Sequence, residues 1–313
     1  MKRKSKIKFK NIFILVFILF VIIFGYIKYN DYKNSNYYKL KEMGYSKKEI
    51  NDIENYYNNN QIEKILSIEY SDILIDLAKQ KYFIFNNLNE YIAYYENNDD
   101  ISFDEVIIKI NTNTGNDFYT DIKKTDTSKD NLILVNKYYQ LEEDFTPNNL
   151  VDMSSQYAYA NNKIDAEVYE WYVEMCNAAK NEYGYTLITT SSYRTYETQE
   201  ALYSKYKSRN GTEWADSYSA RAGHSEHQTG LALDIVSYTN SMEDFELTDE
   251  YLWLKDNCYK YGFILRYPEG KENITGYEFE PWHYRYVGID VATYIYENNI
   301  TFDEYYAYFI DTQ

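Results

Sequence analysis

The run Leu231-Ala-Leu-Asp-Ile-Val236 sets one carboxylate in the middle of an apolar hexapeptide, and no other feature constrains the fold as much. Its length and composition, after the turn residue Gly230, predict a buried strand. An ionised side chain in such a strand must be compensated, by a metal ion or by a salt bridge. For Asp234 taken alone both solutions stand open. Histidine is the commonest metal ligand. The chain has three, and all fall close to this aspartate or follow it: His224, His227 and His283. Two lie in Ala222-Gly-His-Ser-Glu-His-Gln-Thr-Gly-Leu-Ala-Leu-Asp234, and the third ends Phe279-Glu-Pro-Trp-His283. Eight of the eleven glycines lie between Gly184 and Gly288, so the backbone turns most tightly in the same region.

The chain of 313 residues has room for one large domain or two modest ones. Its formal charge is -17, although Lys2, Arg3, Lys4, Lys6, Lys8 and Lys10 make residues 1–10 a basic tail, which leaves -23 for the remainder. So acidic a body argues against a nucleic-acid partner, because neutralising phosphates requires basic patches. Ile12 to Ile27 is apolar apart from Gly25 and Tyr26. With its flanks it makes a transmembrane anchor over residues 11–29, near the lower length limit of about 17 residues for a span. No small-residue cleavage site follows it, so it reads as an uncleaved anchor rather than a signal peptide. The positive-inside bias places the N-terminus in the cytoplasm and the rest of the chain outside.

Residues 31–100 read as a helical stalk or spacer, opened by the capping box Ser46-Lys-Lys-Glu49 and continued by Ile50, Ile53 and Tyr57 at helical spacing. Residues 101–131 read as a strand, Val106 to Ile110, followed by a polar linker. Residues 132–313 then mix helices and strands. Helices are predicted at Asp165 to Asn181, Thr195 to Tyr206 and Asp249 to Tyr261, with one capped by Asp290 and a last one opened by Thr301-Phe-Asp-Glu304. Strands are predicted at Leu187 to Thr189, Leu231 to Val236, Phe263 to Leu265 and Trp282 to Tyr286, the last two joined by a Pro/Gly-rich hairpin. The class is α+β, an antiparallel sheet with flanking helices. Cys176 and Cys258 fall in separate helices, where they can be two buried thiols or, outside the membrane, a pair.

A catalytic zinc keeps three protein ligands and one open position. His227, Asp234 and His283 can supply such a set. Glu280, three residues before His283 with Pro281 between, can be turned toward the same point and act as general base. Arg194, between a strand and a helix start, can hold a carboxylate bidentately or form an ordinary ion pair.

Ser191-Ser-Tyr-Arg-Thr-Tyr-Glu-Thr-Gln199, Ser225-Glu-His-Gln-Thr-Gly-Leu-Ala-Leu-Asp234 and Glu280-Pro-Trp-His283 together resemble the zinc D,D-carboxypeptidases of the VanY type, within the wider lysostaphin, D-alanyl-D-alanine and hedgehog peptidase group. The resemblance covers roughly residues 132 to 290. It implies a hedgehog-like peptidase fold, with zinc held by His227, Asp234 and His283 and Glu280 as base and proton shuttle. It implies that Arg194 binds the substrate's terminal carboxylate or polarises the scissile carbonyl, and that Gln199, Ser225 and Tyr267 line the substrate pocket. His224 falls where the family varies and reads as a solvent-facing loop residue. The implied activity is removal of C-terminal D-alanine from peptidoglycan stem peptides outside the cell. Two alternatives stand beside it: L,D-carboxypeptidase action on tetrapeptide stems, and a non-catalytic, zinc-containing peptidoglycan-binding module.

Overall fold

The computed structural model describes residues 9–238, 242 and 244–311. The basic residues from Lys2 to Lys8 lie outside the described part. The chain divides into two compact units, one ending at Ile107 and the other running from Ile108.

The first unit is helical. Helix α1 (Phe9–Asn34) is followed by α2 (Asn36–Met43), α3 (Lys47–Tyr56), α4 (Asn59–Ile65), α5 (Leu74–Ala78), α6 (Leu88–Glu96) and α7 (Phe103–Asn111). Within α1, Ile12–Asn34 is long and apolar enough to cross a membrane, a property that a signal sequence shares. The predicted capping box at Ser46 is present, its hydroxyl accepting from Glu49 N–H while the Glu49 carboxylate accepts from Ser46 N–H. Helix α3 ends at Tyr56, and Asn58 caps α4 through a second box with Gln61. Leu40, Ile50, Ile53, Ile65 and Leu77 form a core with no solvent exposure.

The strand expected at Val106 to Ile110 is instead the body of α7. Its β-branched residues favour a strand. Ser102, however, accepts from Glu105 N–H at 3.2 Å, Asp104 and Glu105 sit at the positive end of the helix, and Val106 and Ile107 are buried. Capping and burial together outweigh a propensity difference of a few tenths of a kcal/mol per residue.

The second unit opens earlier than residue 132. Strand β1 (Lys123–Lys124) pairs in parallel with β2 (Tyr139–Gln140), and β3 (Leu150–Asp152) pairs antiparallel with β4 (Lys163–Asp165). Helix α8 (Ala166–Tyr183) follows, capped by Asp165 and ended by Gly184 in the left-handed region. The remaining elements are β5 (Leu187–Ser191), α9 (Tyr196–Asn210), α10 (Thr212–Tyr218), β6 (Ala232–Ser237), α11 (Asp249–Asn257), β7 (Phe263–Leu265), α12 (Glu272–Thr275), β8 (His283–Tyr286), α13 (Ile289–Asn298) and α14 (Phe302–Phe309). Four strands form one antiparallel sheet in the order β5-β6-β8-β7. The connection from β7 to β8 is a long excursion carrying α12 rather than a simple hairpin. Asp290 lies in the first turn of α13, and Gly288 takes the cap position.

The two faces of this sheet have different tasks. Leu233 and Ile235 of β6 and Tyr284 and Tyr286 of β8 point to one side, where they pack with Val168, Tyr172 and Met175 of α8. Alternation sends Asp234 and His283 to the other side. The register pairs Asp234 directly with His283. Cys176 and Cys258 are buried as free thiols, and burial pushes both up to about 12.

Candidate active site

A single turn of 3-10 helix, Glu226–Thr229, delivers His227 to the start of β6. Gly230 ends that turn with φ +70°, and a Cβ there would come within 2.9 Å of the Leu150 side chain, so glycine is required twice over. His227 Nδ1 lies 2.7 Å from the Ser192 carbonyl oxygen and donates to it. Nε2 is thereby left as the acceptor, and it faces Asp234 Oδ2 at 3.4 Å.

Across the sheet, Ile235 N–H donates to the Trp282 carbonyl at 2.8 Å. The neighbouring Asp234–His283 step is therefore the non-hydrogen-bonded one, at which facing side chains lie closest. His283 Nδ1 sits 3.0 Å from Asp234 Oδ1. The ligand atoms of His227, Asp234 and His283 all fall within 4.8 Å of one another, and all three residues are buried. Zinc bonds of 2.0–2.2 Å place tetrahedral ligands roughly 3.3–3.6 Å apart, close to the 3.0 and 3.4 Å at which the two histidines approach the two oxygens of Asp234. Two imidazole nitrogens and one carboxylate, gathered around one point, fit zinc in kind as well as in distance.

Asp234 is held well below the usual carboxylate range: burial opposes its charge, but His227 and His283 outweigh burial. Burial lowers His227, and Arg194 adds to that while Asp234 works against it. Burial also opposes the charged form of His283, yet its hydrogen bond to Asp234 and the nearby carboxylate of Glu226 raise it to about 9. Glu280 Oε2 stands 3.8 Å from His283 Nδ1. Burial raises Glu280 to about 8, with His283 opposing and the Asp234 charge adding to the rise.

Arg194 follows β5 and is fixed by its neighbours. Its Nη1 donates to Gln199 Oε1 at 2.6 Å and its Nη2 to Ser191 Oγ at 2.8 Å, while Nη2 remains 3.8 Å from Asp234 Oδ2. The salt-bridge solution for Asp234 is thus present only as a long contact, beside a nearer pair of histidines. Gln199 in turn donates to the Ala220 carbonyl at 2.7 Å. A cleft of about 450 Å³ brings together Arg194, Gln199, Ser225, His227, Asp234, Tyr267, Glu280 and His283. These are all the site residues expected from the sequence. Tyr206, Trp214 and Tyr218 extend the wall, with Trp214 and Tyr218 stacked at 4.5 Å.

His224 departs from expectation. It is buried, not solvent-facing: Nδ1 lies 2.8 Å from the Asn136 carbonyl and the ring meets Tyr119 edge-on at 5.1 Å. It stands outside the group of metal-ligand atoms. Sequence reasoning also missed Glu226, Arg266, Arg285 and Asp303, a buried ionic cluster behind His283. The available signal was Arg266 and Arg285, two charges within or beside apolar strand segments that need partners.

Residues 161–289 match the family model described as VanY: D-alanyl-D-alanine carboxypeptidase. "Putative carboxypeptidase YodJ" of Bacillus subtilis (strain 168) is 41% identical over 202 residues, which cover 60% of this chain and 74% of that protein. A D-alanyl-D-alanine carboxypeptidase of Enterococcus faecium is 34% identical over 186 residues, 57% of this chain and 58% of that protein, so the match spans less than two thirds of its length. Among solved structures, that of the LdcB LD-carboxypeptidase has a TM-score of 0.56 at 39% identity, covering 62% of this chain and 94% of that one. The sheet, the buried His/Asp/His set on one of its faces and these likenesses agree, and the chain belongs to the VanY D-alanyl-D-alanine carboxypeptidase family.

Proposed function

We propose that this chain is a zinc-dependent carboxypeptidase that removes the terminal D-alanine from peptidoglycan stem peptides, held at the membrane by α1 with its catalytic unit outside the cell. The observation that carries this reading is Glu280: a buried carboxyl, raised to about 8, beside a three-ligand set it is not needed to complete. His227, Asp234 and His283 would hold the metal. Zinc, when bound, supplies the Lewis acidity that lets water react near neutral pH.

The chain's own residues do the rest. Glu280 accepts a proton from the attacking water and returns it to the departing amino group of D-alanine. A cation at the ligand set lowers the proton affinity of Glu280 from its high resting value, so one carboxyl can serve in both directions. Arg194 is held by Gln199 and Ser191 and keeps its guanidinium plane at the cleft, where it can take the substrate's terminal carboxylate by two parallel hydrogen bonds. Ser225 and Tyr267 line the opposite part of the pocket, and Tyr267 packs on the His283 ring with centroids 4.9 Å apart. The enclosing walls exclude bulk water and strengthen each of these interactions.

The likeness to the LdcB LD-carboxypeptidase supports a second reading, L,D-cleavage of tetrapeptide stems with the same residues in the same roles. Mass spectrometry of pentapeptide and tetrapeptide muropeptides after incubation with the full chain in detergent separates the two. Loss of one alanine from the pentapeptide alone is the expected result. Loss from the tetrapeptide alone would replace the first reading by the second. Binding without any cleavage would leave a peptidoglycan-binding module.

A further inference from the structure

Next to His283, two buried polar atoms face one another without a hydrogen-bond partner: His283 Nε2 and Glu226 Oε2, 3.6 Å apart. One is a potential donor and the other an acceptor, and leaving both unsatisfied is costly. A shift of a few tenths of an ångström would close the gap to ordinary hydrogen-bond length. Glu226 itself cannot wander. Its Oε1 accepts from Arg266 Nε at 2.7 Å and from Arg285 Nη1 at 3.0 Å. Arg266 is gripped from its far side by Asp303, at 2.6 Å and 3.2 Å. Arg285 donates to the Ile133 carbonyl at 2.7 Å.

The two ring nitrogens of His283 face different partners, Nδ1 toward Asp234 Oδ1 at 3.0 Å and Nε2 toward Glu226 Oε2 at 3.6 Å. As a metal ligand the ring is a neutral imidazole. A neutral imidazole has one N–H and one acceptor nitrogen. His283 can offer Nδ1 to a metal only when the proton stays on Nε2, and Glu226 Oε2 is what faces that nitrogen. We propose that Glu226 is a positioning residue of the metal centre: it takes the Nε2 proton of His283 and so fixes the ring in the tautomer whose Nδ1 is free for zinc. Arg266, Arg285 and Asp303 hold Glu226 in place. Asp303 and the Ile133 carbonyl lie outside residues 161–289, so the support of this ligand reaches beyond the part matched by the family model.

This inference rests on the reading that His227, Asp234 and His283 bind zinc, and the test separates the two. Zinc affinity is measured on the full chain in detergent by competition with a chromophoric chelator, for wild type and for Glu226→Gln. The expected result is a loss of roughly 10–100-fold in Glu226→Gln, the usual effect of removing an outer-shell partner. Asp303→Asn, remote from the metal, should lose less. Wild-type affinity in a folded Glu226→Gln chain would overturn the proposal. Should that variant fail to fold, the wild type decides alone. With ¹⁵N-labelled histidine only three rings contribute signals, and zinc-loaded His283 should show a protonated Nε2 in slow exchange with water. An unprotonated Nε2 in a zinc-loaded chain would overturn this proposal only. A wild-type chain that takes up no zinc would overturn the metallopeptidase reading, and this inference with it.

Discussion

Replacing Glu280 by glutamine should stabilise the metal-free protein while removing its activity, and the gain should depend on pH. The folded site raises this carboxyl from its ordinary 4.5 to about 8, chiefly by burial. A group with a raised folded value contributes its full stability below its unfolded value and loses that contribution as pH rises toward its folded one. The window therefore runs from 4.5 to about 8. At pH 7 the unfolded chain has released this proton and the folded chain still holds it. At about 1.4 kcal/mol per pH unit, over the roughly 2.5 pH units between 4.5 and 7, wild type forfeits about 3 kcal/mol that the neutral glutamine does not. For a unit of this size, 1 kcal/mol corresponds to about 2–4 °C in melting temperature, so the variant should melt roughly 6–12 °C higher at pH 7. Near pH 4 the two should coincide. The assay is thermal unfolding of chelator-treated full-length chains at several pH values. A difference that stays constant from pH 4 to 8, or a variant less stable than wild type at pH 7, would refute the reasoning. With zinc present, activity should fall by at least about 100-fold, the low end for losing a general base.

Arg194→Lys keeps the charge but loses the planar fork, so the preference for a free-acid peptide over its C-terminal amide should shrink by about 10-fold or more in kcat/KM. If wild type cleaves acid and amide equally well, Arg194 is no carboxylate anchor. His224→Ala strips the Asn136 carbonyl of its buried donor and should cost about 1–3 kcal/mol in denaturant unfolding, with zinc content unchanged; loss of the metal would place His224 in the site after all. Protease added to wall-stripped cells should degrade most of the chain if α1 anchors it with the catalytic unit outside, and full protection would reverse that topology.

The strands of the main sheet and the grouping of His227, Asp234 and His283 were legible because their signals are local. An apolar hexapeptide holding one aspartate can hardly be anything but a buried strand with a compensated charge, and Asp234 lies in one. Helix α11 stops at Asn257, and a 3-10 turn, Cys258–Tyr261, ended by Gly262 carries the chain to the predicted stop after Tyr261. The failures turn on a cap and on tertiary contacts. Val106 to Ile110 has the residues of a strand, and only the Ser102 cap and the burial of Val106 and Ile107 make it a helix. His224 reads as a loop residue until Asn136, 88 positions earlier, closes over it. The pairing of Arg266 with Asp303 and of Arg285 with Glu226 depends on partners 37 and 59 positions away, which no periodicity can connect. Local patterns reveal where a charge is buried; only the tertiary fold reveals what neutralises it.

The direct pairing of Asp234 with His283 makes the candidate metal site a gauge of strand alignment. Sliding β8 by one residue along β6 would turn His283 into the apolar layer and bring Trp282 or Tyr284 to face the cleft instead. No partial slip keeps His227, Asp234 and His283 together, so the three gather only after the two central strands have found their final alignment. The loop residues between the two strands, apart from β7, Arg266, Tyr267 and Glu280, do not set that alignment.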